Sequence, residues 1–298
     1  MQGLPKALGR CAAVGVPVLG LLMALGPAAG ASTANVTHTH GHYTAQALAS
    51  AKSQLQHMLK NWRGMDSWKN DNGLASAKSS AGSSAIHALT KVQSTNWSGY
   101  ADLGKPFTKV SGTWTEPTGT CGSGTSLAAF WVGIDGFSSD SVEQDGTIIE
   151  CDGGTAFYFD WWELFPTNAV QVVNSVNPGD TITSSVSRSG TNYTLTVTDS
   201  TTPSDSFTTT QSCTSCVNSS AEWIAEAPSG STGVEPLSNF GVFKMRNAKV
   251  SNVTKSGVIS SFSDDQITMI DSSSNVEAQP SGLSTAGNWF KVTWERST

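Results

Sequence analysis

From Ser94 onward, apolar and polar residues alternate with a period of two. Tyr193, Leu195 and Val197 interleave with Thr194, Thr196 and Thr198; Phe290, Val292 and Trp294 with Lys291, Thr293 and Glu295; Phe243 and Met245 with Lys244 and Arg246. Successive strand side chains point to opposite faces, so each stretch predicts a strand with one buried and one solvated side. Further strands are predicted at 110–115, 128–135, 156–165, 169–173, 181–186, 221–226 and 266–270, separated by turn formers such as Asn177-Pro178-Gly179-Asp180 and Asp152-Gly153-Gly154. Many short strands with no helix between them predict an all-β domain, an antiparallel β-sandwich, with a closed barrel as the second architecture.

Before residue 90 the pattern differs. Lys6 and Arg10 precede an apolar run from Ala12 to Leu25, and Ala29-Gly30-Ala31 supplies small residues for cleavage, the layout of a secretory signal peptide over 1–31. The run, interrupted by Pro17, is too short for a membrane span, which needs about 20 apolar residues. Next, Leu48, Ala51, Leu55, Met58, Leu59 and Trp62 recur at helical spacing after Thr44, a candidate N-cap, and predict one amphipathic helix ending near Arg63-Gly64. One helix cannot bury its own stripe. A Ser/Ala/Gly/Asn-rich stretch over 70–84 then reads as a linker. Signal, helix and linker ahead of a β-domain at 94–298 predict a secreted zymogen with its propeptide at 32–93; a disordered extension is the simpler alternative.

Charge and cysteines sharpen the picture. Before residue 94 stand eight Lys/Arg and two Asp/Glu; from there on the counts are nine and twenty-one. So acidic a body argues against nucleic acid as a partner. It also offers the basic leader an oppositely charged surface, to be released as carboxylates protonate towards about pH 4. Past the signal remain Cys121, Cys151, Cys213 and Cys216, an even number that predicts two disulfides in an oxidising compartment. Three connectivities are open, with Cys121–Cys151 and Cys213–Cys216 the first choice. All five histidines, His38, His40, His42, His57 and His87, precede residue 90. The β-domain therefore cannot hold a Ser-His-Asp triad, a Cys-His pair or a His-ligated zinc. Acid–base work falls to Asp and Glu, assisted by neutral polar groups.

Four strings concentrate Trp, Asp, Glu and Gln beside glycine: Asn96-Trp97-Ser98-Gly99-Tyr100, Trp131-Val132-Gly133-Ile134-Asp135-Gly136, Glu143-Gln144-Asp145-Gly146 and Ala221-Glu222-Trp223-Ile224-Ala225-Glu226. On a strand Trp131 and Asp135 share a face, with Gly133 between them leaving room for a backbone or a ligand, and Glu222 shares a face with Glu226. In this order and spacing the strings resemble the eqolisins, glutamic peptidase family G1, over most of 94–298. The resemblance implies a jelly-roll or concanavalin-like sandwich and a secreted acid endopeptidase insensitive to pepstatin-like inhibitors. It further implies that Gln144 and Glu226 are the catalytic pair, that Trp131 and Asp135 flank or support the groove, and that Glu163, in Trp161-Trp162-Glu163, is a further groove carboxylate. The expectation is a monomer acting on proteins or peptides, with no metal, cofactor or membrane.

The pairing makes chemical sense without histidine. A Glu can take a proton from water and return it to a leaving nitrogen, and a Gln amide can donate to the developing oxyanion. Relatives typically carry an apolar residue before this Gln and Thr after it; Glu143 and Asp145 stand here instead, and with Asp152 they read most simply as solvated loop charges. Trp97 and Trp223 read as core aromatics, Asn96 as a partner for buried backbone, and Glu222 as an exposed or hydrogen-bonded strand residue. Asn96-Trp97-Ser98 and Asn252-Val253-Thr254 match the glycosylation sequon. Two other functions compete: a β-sandwich glycoside hydrolase using paired Glu, and a non-catalytic module holding carbohydrate on Trp131 and Asp135. Gln144 discriminates, because neither alternative needs it.

Overall fold

The computed structural model describes residues 43–59, 90–104, 106–230 and 233–297, all within one compact unit spanning His38–Thr298. The expected signal peptide, the expected linker and the expected helix end at Trp62 lie outside the described residues. The elements are α1 (Ala45–Leu59), β1 (Thr90–Ser94), β2 (Trp97–Leu103), β3 (Phe107–Thr115), β4 (Ser126–Ile134), β5 (Val142–Asp152), β6 (Thr155–Phe165), β7 (Asn168–Ser175), β8 (Thr181–Ser189) and β9 (Asn192–Asp199). There follow β10 (Phe207–Ser212), β11 (Ser220–Glu226), β12 (Ser229–Gly230), β13 (Gly233–Val234), β14 (Val242–Asn252), β15 (Ser256–Gly257), β16 (Ser263–Ile270), β17 (Val276–Pro280) and β18 (Phe290–Trp294).

One hydrogen-bonded path runs β10-β9-β8-β3-β14-β18-β17-β16-β2-β11-β4-β5-β6-β7. β14 makes its corner: the first half pairs with β18, the second with β3, and the register shifts between Arg246 and Lys249, where Asn247 takes φ 51°. A bulge bends a strand and lets it serve two layers. β3, β8 and β9 thus face β4, β5 and β11 across a core that includes Trp114, Phe130, Trp223, Phe243 and Phe290. β10 and β7 end the path without pairing to each other, so the sandwich holds and the barrel does not. One pairing departs from the antiparallel expectation: β1 runs parallel to β16, which carries the body back to Thr90. Both first-choice disulfides form, Cys121–Cys151 and Cys213–Cys216.

α1 begins where its cap predicts, with the Leu48 amide donating to the Thr44 carbonyl and the Ala47 amide to Thr44 Oγ1, both at 3.1 Å. Its stripe, Ala51, Leu55 and Leu59, is buried in a second apolar cluster on the far side of the sheet from the sandwich core, with Trp97, Trp131, Phe159, Trp161 and Val172. The Gln56 amide completes the open edge of β7, accepting from Val172 N at 2.9 Å and donating to Val170 O at 2.7 Å. Lys52 Nζ donates to Val173 O at 2.6 Å, and Tyr43 OH donates to Ala156 O. Apolar burial and the backbone of an edge strand thus hold this helix alongside the charge attraction expected of the leader, to which Lys52 contributes at Asp160.

Candidate active site

Three cross-strand rows define the face that α1 shares. The first is Glu222–Gly133–Gln144–Glu163, the second Ile224–Trp131–Gly146–Trp161, and the third Glu226–Ala129–Ile148–Phe159, each read across β11, β4, β5 and β6. Period two places Gln144, Glu163, Trp131 and Glu226 together on this face. The same rule sends Glu143 and Asp145 the other way. Both were expected as solvated loop charges, yet they are fully buried on β5 and face the sandwich interior. Asp152, at the strand's end, is exposed as expected.

Gly133 does not leave open space. A Cβ there would lie 2.9 Å from Trp131 Cζ3 and 3.3 Å from Gln144 Cβ. The missing side chain lets the Trp131 indole lie along its own strand, and Trp131 Nε1 then donates to Glu226 Oε2 at 2.9 Å. Asn96 Nδ2 donates to Glu226 Oε1 at 3.1 Å, and the Ser94 hydroxyl donates to Asn96 Oδ1 at 3.1 Å. Burial drives the Glu226 pKa well above its ordinary value; hydrogen bonds from Trp131, Trp97 and Asn96 pull it back, and the Glu163 charge pushes it up. Across the β5–β6 ladder Gln144 Nε2 donates to Glu163 Oε2 at 2.7 Å, while Gln144 Oε1 is buried without a partner. Burial raises Glu163 to about 8 against that hydrogen bond.

Asp135 sits apart from this group. It lies just past β4 at φ 70°, and its carboxylate accepts from the amides of Val217, Asn218 and Ser219 at 2.6–2.9 Å, fixing the turn that leads into β11. Fully buried and so occupied, it cannot hold a sugar as the lectin reading required. Trp223 is a core aromatic donating to Ser111 O at 3.0 Å. Trp97 is buried too, but on the groove face, edge-on to Trp131 with centroids 5.0 Å apart. Glu222, read as exposed or hydrogen-bonded, is fully buried with its pKa raised well above normal by burial first.

Asn96 is the contact that sequence reasoning missed. Its neighbour Trp97 marked the string, but the reach to β11 is a tertiary fact. Buried completely, Asn96 cannot be a glycan acceptor, so that sequon has no structural meaning. The one group of potential metal ligands among the described residues, Glu143 with Cys213 and Cys216, has its thiols consumed in a disulfide.

The Peptidase A4 family profile covers residues 95–289, and the chain belongs to that family, the G1 glutamic peptidases. Among its relatives is aspergillopepsin-2 of Aspergillus niger, 26% identical over 183 residues that span 53% of this chain and 65% of that protein, just under two thirds of its length. The fold is similar to Scytalido-glutamic peptidase solved with a peptide-based transition state analogue: TM-score 0.59, 23% identity, 67% of this chain and 98% of that one. It is likewise similar to aspergilloglutamic peptidase from Aspergillus niger: TM-score 0.51, 23% identity, 57% of this chain and 99% of that one.

Proposed function

We propose that this chain is a secreted acid endopeptidase, made as a zymogen, in which Glu226 and Gln144 are the catalytic pair. The observation that carries the reading is the setting of Glu226: a carboxylate in a dry site, met only by N–H donors. Such donors favour the ionised form, and release of a covering segment would let water return and bring the pKa back into a working range. Glu226 then takes a proton from a water whose oxygen attacks the scissile carbonyl. Gln144 Nε2 donates to the resulting oxyanion. As the tetrahedral species collapses, Glu226 returns the proton to the departing nitrogen and the C–N bond breaks. The peptide analogue bound by Scytalido-glutamic peptidase supports a peptide substrate for this site as well.

Glu163 governs which way the Gln144 amide faces. Ionised, it captures the amide N–H, as in the 2.7 Å contact. Neutral in acid, it can donate its own proton to Gln144 Oε1 and leave the N–H free for the oxyanion. With Glu163 raised to about 8 by burial, the amide is free for the oxyanion through acid and neutral pH and is captured only above that value, so this switch sets an alkaline limit without a second charge beside Glu226.

The leader is the inhibitor in this reading. α1 packs on β7 and β6 and buries its stripe in the apolar cluster that also holds Trp97, Trp131 and Trp161, the aromatic lining that a substrate would use. Cleavage belongs after Leu59 and before Thr90, since β1 is part of the sheet. Secretion, a monomeric state and action without a cofactor complete the proposal. The test is to incubate purified protein at about pH 3–4, just below an unperturbed Glu, with an unfolded protein and a pepstatin-like inhibitor. Digestion with a new N-terminus between residues 60 and 90 is expected; no digestion after the leader is lost would overturn it.

A further inference from the structure

The outer face of the second layer is free of acid. No outward strand position on β3, β8, β9, β10, β14 or β18 is Asp or Glu, although the body from Ser94 holds twenty-one of them against nine Lys/Arg. Three of those nine, Lys244, Arg246 and Lys291, line one groove of about 1090 Å³ with Trp289 and Val242. Lys244 stands directly opposite Lys291 on the β14–β18 ladder. Like charges directly opposite each other destabilise a sheet, so the pair is a cost to the fold. Trp289 and Val242 are 46% and 44% exposed at the rim, an uncommon place for an indole.

The far wall is preformed. Ser284 N donates to Trp289 O at 2.9 Å, Gly287 N to Ser284 O at 2.8 Å, and Lys291 N to Ser281 Oγ at 3.1 Å. Hydroxyl and amide groups from Ser281, Ser284, Thr285 and Asn288 line that wall. Beyond Arg246 the sheet continues as facing hydroxyls, with Thr113 paired to Thr183 at 3.1 Å.

We infer that this groove is a binding site, separate from the Glu226 face, for an anionic polysaccharide. The indole takes the C–H face of a pyranose ring, the wall hydroxyls and amides meet its hydroxyls, and the three cations meet its acid groups. An acidic polypeptide would satisfy the cations but leave the indole and the wall unused.

Affinity electrophoresis of the full chain at pH 5 and low ionic strength tests this, with dextran sulfate, polygalacturonate, neutral dextran and polyglutamate as probes. Retardation by dextran sulfate, polygalacturonate or both is expected, the pattern telling sulfate from uronate, with none by neutral dextran. Trp289→Ala and the double substitution Lys244→Thr/Lys291→Thr should each weaken retardation about tenfold, the size of one good interfacial contact. Neither should change peptidase rate, and the double variant should melt no lower than wild type because a like-charge pair is gone. Failure of both anionic polysaccharides to retard the protein, retardation unchanged in both variants, or polyglutamate binding as tightly with Trp289 indifferent would each overturn the inference.

Discussion

On β5, Gln144 and Gly146 look onto the α1-covered face while Glu143 and Asp145 look into the sandwich core, and all four are buried. The two faces treat their acids differently. Glu226, on the first face, is met by an indole and an amide N–H, groups that only donate and so serve a carboxylate. In the core, Asp145 is met by the Ser184 hydroxyl, and Glu116 by the Thr147 hydroxyl and the Trp114 indole. A hydroxyl can donate or accept, so it tolerates a neutral acid equally well. Burial thus raises the acids of both faces, and the difference lies in what opposes it: N–H donors from Trp131, Trp97 and Asn96 at Glu226, and chiefly hydroxyls that let Asp145 and Glu116 keep their protons in the core.

The largest expected effect concerns the donor on the first face. Gln144→Ala should lose about 3–4 kcal/mol of transition-state stabilisation, seen as a fall in kcat with little change in KM. A rise in KM alone would make Gln144 a substrate contact and dissolve the contrast between the faces.

The core face sets stability. Burial raises Glu116 from 4.5 to about 8, so the folded state holds a proton there that the unfolded chain releases. Between those values the native state binds more protons, and stability falls as pH rises. Glu116 alone accounts for an upper limit on the order of 4 kcal/mol lost between pH 4 and pH 8. Denaturant titrations across that range should show the decline, and Glu116→Gln should flatten it; a protein more stable at pH 8 than at pH 4 would refute the assignment.

The buried stripe of α1 is apolar, and Leu55→Ala should cost about 2–3 kcal/mol of the helix's docking by opening a cavity. The zymogen carrying it should show basal activity on a small peptide at a pH where the parent is silent, and added salt should not mimic the change. Smaller still is the effect of Glu163→Gln, an amide that can donate to Gln144 Oε1 at every pH. It should leave the acid and neutral range unchanged and remove any loss of kcat that sets in near pH 8, where ionised Glu163 would otherwise capture the amide; the same loss near pH 8 in the variant would remove Glu163 from control of the amide.

Alternating strands such as β9, β14 and β18 were legible because one side faces solvent and the other the core. β5 was not. It is buried on both sides, so period two carries no hydropathy contrast, and its Glu-Gln-Asp run looks like a loop. The strand bearing the proposed oxyanion donor was therefore the one the pattern could not give, and Gln144 was found only through the motif around it. Trp131 and Glu226 were legible as residues sharing strand faces, whereas their hydrogen bond depends on the β4–β11 register. The hydrogen bond from Asn96 and the burial of the α1 stripe in the cluster of Trp97 and Trp161 depend on packing between segments far apart in the chain, which no local pattern records.

Glu222 competes with Glu226 for the central role, because it lies in the same cross-strand row as Gln144, with only Gly133 between them. The direct measurement is kcat for the matured Glu226→Gln and Glu222→Gln variants on one peptide in acid, each checked for native melting. The account predicts a loss of about 10²-fold or more in Glu226→Gln, the scale of acid–base catalysis, with Glu222→Gln close to wild type. Normal turnover by a folded Glu226→Gln, or the loss appearing in Glu222→Gln instead, would contradict it.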